Sequence, residues 1–150
     1  MPGQKTYSVE FIRGHNIGRR GLAFLICVGD NDIDAKIAFE RLNLKQEREL
    51  RGRFDYWLDG GTNDHWFHGW PNTPAYKDCF VFKWKQNKQN HRLYGFLSNP
   101  RSNDHEFRLC VLISHAVKNV WRTDPSELDG INKRKEETGV KEAVIRAVKV

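Results

Sequence analysis

Cysteine is scarce in this sequence, and the spacing of the few that occur excludes a disulfide-stabilised protein. The 150 residues include three cysteines, Cys27, Cys79 and Cys110, which lie far apart and form no C-x-x-C pair. A disulfide framework uses an even number of cysteines, so this odd set favours free thiols. We therefore expect a reducing compartment, which predicts a cytoplasmic protein.

Motifs for metal ions are also missing. Residues 64–68 contain His65 and His68, two imidazoles three positions apart, and no second pair of ligands follows at a suitable spacing. A structural zinc site is almost always held by four ligands. The sequence therefore predicts neither a metal ion nor another cofactor.

Long apolar runs are absent as well. The longest, residues 22–28, is far shorter than the roughly 20 residues that cross a bilayer. Residues 1–5 have no apolar segment of the kind found in secretory signals. We expect neither membrane association nor export.

The chain contains enough hydrophobic residues to form the core of a folded domain. Hydrophobic residues make up 39% of the sequence, and five tryptophans and nine phenylalanines are spread along it, which argues against a disordered chain. A length of 150 residues is typical of one domain. We expect a single domain over residues 1–150.

The positive charge of the chain is concentrated in one segment. The 25 lysines and arginines outnumber the 19 acidic residues, and the whole excess lies within residues 77–122, which hold nine basic and three acidic side chains. A gathered positive potential favours a polyanion such as RNA as the partner. The alternative is a basic surface that serves only solubility.

The hydrophobic pattern of the first half predicts a strand followed by two helices. Residues 7–11 alternate as in a strand, and residues 22–28 fit either a strand or a buried helix. Helical spacing follows at 35–42, with Asp32 or Asp34 as the N-terminal cap, and again at 50–58. Residues 62–76 combine aromatic residues with helix breakers, which indicates an ordered loop.

The second half predicts a sheet and a final helix. Asp124 is placed to cap a helix with Pro125 at its first position, and Gly139 is expected to interrupt it. Together the halves predict an α+β fold with an N-terminal strand, two helices, an antiparallel sheet of three to four strands and a C-terminal helix. The strands of this meander are expected at 80–85, 92–97 and 107–115.

Cationic side chains from these strands could meet in one groove. Strand alternation puts Lys83 and Lys85 on the face opposite Phe82 and Trp84. If the strands pair as a meander, further functional side chains would converge near these lysines, namely Arg92, Arg108, His115 and Lys118.

Such a groove would suit RNA cleavage without a metal ion. Lysines and arginines would hold phosphates and stabilise developing negative charge, while His115 would move a proton near neutral pH. The RNA would supply the nucleophile, its own 2′-hydroxyl. His91 could replace His115 in proton transfer, and Tyr94 could stack on a base.

Each of these residues also has a structural explanation. Lys83 and Lys85 could form the solvated side of an edge strand, where lysines discourage aggregation. Arg108 could pair with a glutamate, His115 could be a hydrogen-bonded histidine at a strand end, and Tyr94 could pack in the core.

Four features follow one another between residues 83 and 137, and their order resembles the RelE/HigB group of toxin–antitoxin proteins, in particular its phage-derived Gp49-like branch. They are a lysine-bearing strand, an Arg-hydrophobic-aromatic strand, a hydrophobic strand that ends in His and Lys, and a Thr-Pro type linker into a helix. In this chain they occupy residues 82–85, 92–96, 109–119 and 123–128.

The resemblance implies a toxin that cleaves messenger RNA, often on the ribosome, and that a small cognate antitoxin protein neutralises. It matches Arg92 to the phosphate-binding arginine of the family, and His115 and Lys118 to its functional cluster at the strand end. Two other interpretations stay open. One is a non-catalytic module of the same fold that binds nucleic acid or protein, and the other is a basic structural or regulatory protein.

Overall fold

The computed structural model describes residues 5–13, 19–100, 107–118 and 124–148. The glycines and arginines of residues 15–21 predict a basic loop, and the polar residues 98–106 predict a connection between strands. Residues 15–18 and 101–106 of these two segments lie outside the described residues. The described elements confirm the α+β class. The strands are β1 (Tyr7–Arg13), β2 (Arg20–Cys27), β3 (Phe67–Gly69), β4 (Cys79–Gln86), β5 (Gln89–Ser98) and β6 (Arg108–Lys118); the helices are α1 (Ala35–Glu40), α2 (Leu44–Leu58), α3 (Pro125–Glu136) and α4 (Thr138–Val148).

The sheet differs from the expected antiparallel meander. Its six described strands have the order β1-β2-β6-β5-β4-β3, and β2 pairs with β6 in parallel while all other neighbours are antiparallel. Most of the apolar run at 22–28 lies in β2, an internal strand that is largely buried on both faces. Near-continuous apolar sequence is typical of parallel strands covered on both sides.

Two pairs of helices cover the two faces of this sheet. Helices α1 and α2 pack on one face, where Phe54 of α2 meets Phe82 of β4 edge to face with ring centroids 4.9 Å apart. Helices α3 and α4 pack on the opposite face through Leu128, Ile131 and Val144. We call these the α1/α2 face and the α3/α4 face.

Local signals explain most helix ends. Asn43 caps α2 by accepting a hydrogen bond from the backbone N–H of Gln46 at 2.8 Å, and Gly60 follows the helix with φ +93°. Asp124 caps α3 through the N–H of Ser126 at 2.9 Å, with Pro125 at the first position as expected. The break before α4 falls at Glu137, two residues ahead of Gly139.

The segment expected to be a loop at 62–76 is partly regular. Three of its residues form β3, which pairs with β4 through Phe67 opposite Phe82, and a 3₁₀ turn follows at Pro74–Tyr76. Residues Asn87 and Lys88, both with positive φ, make the two-residue turn between β4 and β5.

A β-bulge between β5 and β6 decides which face each functional residue occupies. Tyr94 lies opposite Ser114 while Gly95 lies opposite Leu112, so Ile113 is an extra residue in β6. Gly95 is required at this point, because a Cβ would lie 2.1 Å from the carbonyl oxygen of Val111. One inserted residue exchanges the faces of all the β6 side chains that follow.

Within the described ranges, no helix combines the length and the apolar character needed to cross a membrane.

Candidate nucleic-acid interface

Several of the predicted cations lie on one side of the sheet. Lys83 of β4 pairs directly with Arg92 of β5, and Lys85 and Lys118 are both aligned with Asn90 on β5. Because directly opposite residues share a face, these side chains project toward the α3/α4 face. The predicted convergence of Lys83, Lys85 and Arg92 is therefore confirmed.

The predicted placement of His115 in the same groove is wrong. His115 lies opposite Leu93, whereas Arg92 lies opposite Ala116, so the side chains of His115 and Arg92 leave opposite faces of the sheet. The His115 ring instead stacks on Trp84 and His91 at the α1/α2 face. The bulge at Ile113 shifts β6 by one residue, and strand alternation without a register could not reveal it.

Arg108 shares a cavity with only one of the other predicted cations. It is the first residue of β6, on the far end of the sheet from Lys118, and it is paired in register with Arg20 of the parallel strand β2. These two arginines line a second cavity together with Lys83, which lines the cavity described below as well. Neither Lys85 nor Arg92 lines this second cavity, so the predicted convergence of Arg108 holds for Lys83 alone.

Lys118 is on the expected face but is held in an ion pair. Its ammonium lies 2.8 Å from the Glu127 carboxylate on α3, and both side chains are largely buried. Lys118 is not among the residues that line the cavity formed by the other cations.

A cavity of about 350 Å³ lies at the exposed edge of β4, where the short strand β3 has ended. We call it the cationic cavity. Four of the described residues that line it are basic and one is acidic. The side chains that give it its charge are Arg53, Lys83, Lys85, Arg92 and Glu49.

Two of these cations are fixed by hydrogen bonds to backbone oxygens. The Lys83 ammonium donates to the carbonyl oxygen of Asp64, and the Arg53 guanidinium donates to the carbonyl oxygen of Lys83. Arg53 also pairs with Glu49 at 2.7 Å and lies over the Trp66 ring, 5.3 Å from its centroid. Lys83 is therefore a positioned group and not the solvated lysine of an open edge strand.

Arg92 forms the floor of the cationic cavity. It is only 4% exposed and is the one charged residue among the described residues that is buried as a whole. Its guanidinium donates to the Tyr94 hydroxyl at 3.2 Å. Tyr94 is 1% exposed and belongs to the core beneath α3, so its predicted stacking on a base is wrong and its core-packing alternative is confirmed.

Burial and the neighbouring cations both lower the pKa of titratable groups near the cavity. Burial and then the charge of Arg92 lower the pKa of Lys83. The pKa of His68, on β3, falls to about 4, first because the ring is buried and then because Lys83 and Arg92 are close. Both shifts disfavour additional positive charge, as expected where cations are gathered.

Aromatic and imidazole groups complete the cationic cavity. Trp66, Trp84 and the exposed His65 line it together with the cations. No functional role was predicted for Arg53, His65 or Trp66 from the sequence. The signal that could have pointed to His65 and Trp66 is the high aromatic and histidine content of residues 62–76.

Comparison with known proteins gives no family assignment. No protein-family model matches the chain, and searches of curated proteins and of solved structures found no significant match.

Proposed function

We propose that the protein binds single-stranded RNA at the cationic cavity and cleaves it without a metal ion. The observation that supports this is the lining of the cavity, in which Arg53, Lys83, Lys85 and Arg92 lie with one carboxylate, beside the half-buried indole ring of Trp66. Cations next to aromatic rings suit a phosphate backbone with unstacked bases.

The cleavage step is a transesterification within the RNA. The 2′-oxygen attacks the adjacent phosphorus, the bond from phosphorus to the 5′-oxygen breaks, and a 2′,3′-cyclic phosphate and a 5′-hydroxyl form. His65 accepts the proton of the 2′-hydroxyl, and water protonates the leaving 5′-oxygen. Lys83 and Lys85 stabilise the charge that develops on the phosphate oxygens.

The binding part of this proposal is tested with a labelled single-stranded RNA in a salt series. Lys85→Ala is expected to weaken binding several-fold and to reduce the slope of affinity against salt by about 1. Lys141→Ala, which removes an exposed lysine on α4, a helix that packs on β1 at the other edge of the sheet, is the matched control and should change nothing. Absence of binding at about 50 mM salt would contradict the proposal.

The cleavage part is tested by following the RNA in the presence of a chelator. Intact protein should yield fragments with cyclic phosphate ends, and His65→Ala should abolish cleavage while RNA binding is retained. Fragments that disappear on chelation, or that persist in the His65 variant, would contradict the assigned chemistry.

The biological role that we propose is that of a toxin controlled by a cognate antitoxin and acting on messenger RNA, including ribosome-bound messenger RNA. This part rests on the resemblance of residues 83–137 to the RelE/HigB group. Expression in a bacterial host should arrest growth, and His65→Ala should relieve the arrest. Normal growth with abundant folded protein would contradict a toxin.

Binding without cleavage is the second candidate, and the position of His115 favours it. The imidazole expected beside Arg92 lies on the other face of the sheet, and Lys118 is neutralised by Glu127. A site that keeps its phosphate-binding cations without these groups suits a binding module. Salt-dependent RNA binding with no fragments at any protein concentration would select this candidate.

A further inference from the structure

The parallel strands β2 and β6 separate at one end of the sheet and leave a crevice between them. Their pairing ends at Phe24 and Leu112. Beyond this point β2 leads to α1 on one face, whereas the next helix after β6, α3, packs on the other. In sheets with helices on both faces, the crevice outside the carboxyl ends of two such strands is a preferred site for ligands.

Asp34 lies in the crevice and is hydrogen-bonded to β6. Its backbone N–H donates to the carbonyl oxygen of Ile113 at 3.0 Å, and its carboxylate accepts a hydrogen bond from the backbone N–H of His115 at 2.9 Å. Asp34 thus occupies the place beside β6 where β2 no longer pairs. Cavities of about 680 and 700 Å³ open on the two sides of the sheet at this point, and both are lined by Asp34 and His115.

The 680 Å³ cavity lies on the α1/α2 face, and we call it the switch crevice. Its inner end is polar and is formed by His91, His115 and Gln86. Its outer walls combine apolar and charged residues. Val28 is 95% exposed and Ile37 is 49% exposed, so both offer uncovered apolar surface to an occupant, and charged side chains also line the cavity, namely Asp30, Asp34, Lys36 and Arg41. A concave, mainly apolar pocket with a few convergent polar groups is typical of small-molecule sites.

The two histidines form a rigid, uncharged recognition element. Nδ1 of His91 lies 3.0 Å from Nε2 of His115, and the two rings stack on Trp84 with interplanar angles of 25°. Burial lowers the pKa of both rings, so both are neutral near neutral pH. One ring nitrogen of the facing pair donates to the other.

The hydrogen bond between the rings determines whether each of the two remaining ring nitrogens is a donor or an acceptor. If His91 donates, its Nε2 is an acceptor and Nδ1 of His115 carries a proton; if His115 donates, the roles are exchanged. In either case the pair offers one donor and one acceptor. The Gln86 side-chain oxygen adds an acceptor that is buried and has no hydrogen-bond partner among the described residues.

We propose that the switch crevice binds a nucleoside monophosphate. A nucleobase supplies a planar apolar face for Ile37 and Val28 and an edge with both a donor and an acceptor for the histidine pair and Gln86. Arg41, an exposed residue that also lines the crevice, would meet the phosphate. The site is separate from the cationic cavity, so it does not depend on the RNA proposal.

The test is calorimetric titration with AMP, GMP, CMP and UMP, and with ribose 5-phosphate as the ligand that lacks a base. At least one nucleotide should bind with a dissociation constant below about 1 mM, and ribose 5-phosphate should bind at least about tenfold more weakly. Ile37→Asp changes an exposed side chain, so it is expected to fold, and it should weaken binding at least about tenfold. His115→Ala and Gln86→Ala should do the same.

Lys141→Ala is the matched control, because this exposed lysine on α4 lines neither the switch crevice nor the cationic cavity. It should bind the nucleotide as the unaltered protein does. The proposal is overturned if none of the four nucleotides saturates, if ribose 5-phosphate binds equally well, or if folded Ile37→Asp retains full affinity.

Discussion

The carboxylate of Asp34 accepts a hydrogen bond from the backbone N–H of His115 at 2.9 Å. Asp34 occupies the N-cap position of α1, yet its side chain makes no cap hydrogen bond there. Asp34 therefore occupies the N-cap position, one of the two that the sequence predicts, but its side chain does not cap the helix. The residue joins α1 to the unpaired end of β6.

Removal of this acceptor should destabilise the protein. Asp34→Ala leaves the half-buried N–H of His115 without its partner, so we expect the free energy of unfolding to fall by roughly 1–3 kcal/mol in urea denaturation. Asp34→Asn keeps an acceptor and should cost less. Because the Asp34 charge raises the pKa of His115, the Asn variant should also lower that pKa further, which an NMR titration of the ring can measure. Equal stability of the Ala variant and the unaltered protein would contradict this role.

The bulge beside Gly95 should be intolerant of any side chain. A Cβ at Gly95 meets backbone atoms of Val111 and Leu112, so Gly95→Ala must displace β5 from β6. We expect a loss of roughly 2 kcal/mol or more in the free energy of unfolding. Gly52→Ala on α2 is the control, since open space surrounds that position, and it should stabilise by about 0.5–1 kcal/mol. A neutral effect at Gly95 would contradict the bulged register between β5 and β6.

The stability of the protein should fall in mild acid. Burial lowers the pKa of His68, His91 and His115 in the folded state, and that of His68 reaches about 4. An unfolded histidine titrates near pH 6.5, so between about pH 6.5 and 4 the unfolded chain binds more protons than the folded protein does. The free energy of unfolding therefore decreases as the pH falls through this range.

The contribution of each neutral ring is thus complete above about pH 6.5 and is lost as the pH falls toward its folded pKa. Each histidine adds at most about 1.4 kcal/mol per pH unit to the slope. Urea denaturation across this range should show the decline, and His68→Gln should make it shallower. An unchanged slope in that variant would show that His68 is not buried as a neutral ring.

Release of Lys118 should strengthen RNA binding. Glu127→Gln removes the carboxylate that neutralises the Lys118 ammonium, so a further cation becomes available on the α3/α4 face. We expect affinity for single-stranded RNA to rise about twofold to fivefold, and the salt slope to steepen by up to about 1. Glu142→Gln, an exposed position on α4, serves as the control for the change in net charge. Equal gains in both variants would mean that net charge alone governs binding.

The elements of the fold were predictable where local chemistry determines them. The alternation at Tyr7, Val9 and Phe11, the helical spacing in α2 and the cap at Asp124 each depend on residues close in sequence. The strand β3 was missed because three residues are too few for a period to appear. The parallel pairing of β2 with β6 depends on contacts between residues that are distant in sequence, which no local pattern reports.

The candidate site was predictable only within one hairpin. Lys83, Lys85 and Arg92 lie on paired strands joined by a two-residue turn, so alternation and the turn together determine their common face. His115 lies beyond a bulge, where a single inserted residue reverses the face. Arg53 was not recognised because an arginine on the polar side of a helix has no distinguishing sequence signal.

The parallel pairing of β2 with β6 also has a consequence for biosynthesis. Gly21 of β2 pairs with Leu109 of β6, which is synthesised roughly ninety residues later, so β2 lacks its parallel partner strand until then. At typical translation rates of about 5–20 residues per second, the β1–β2 hairpin spends several seconds on the ribosome with an apolar strand edge unprotected. Until the last strand emerges, this unpaired edge of β2 is a site at which the nascent chain can pair with other chains.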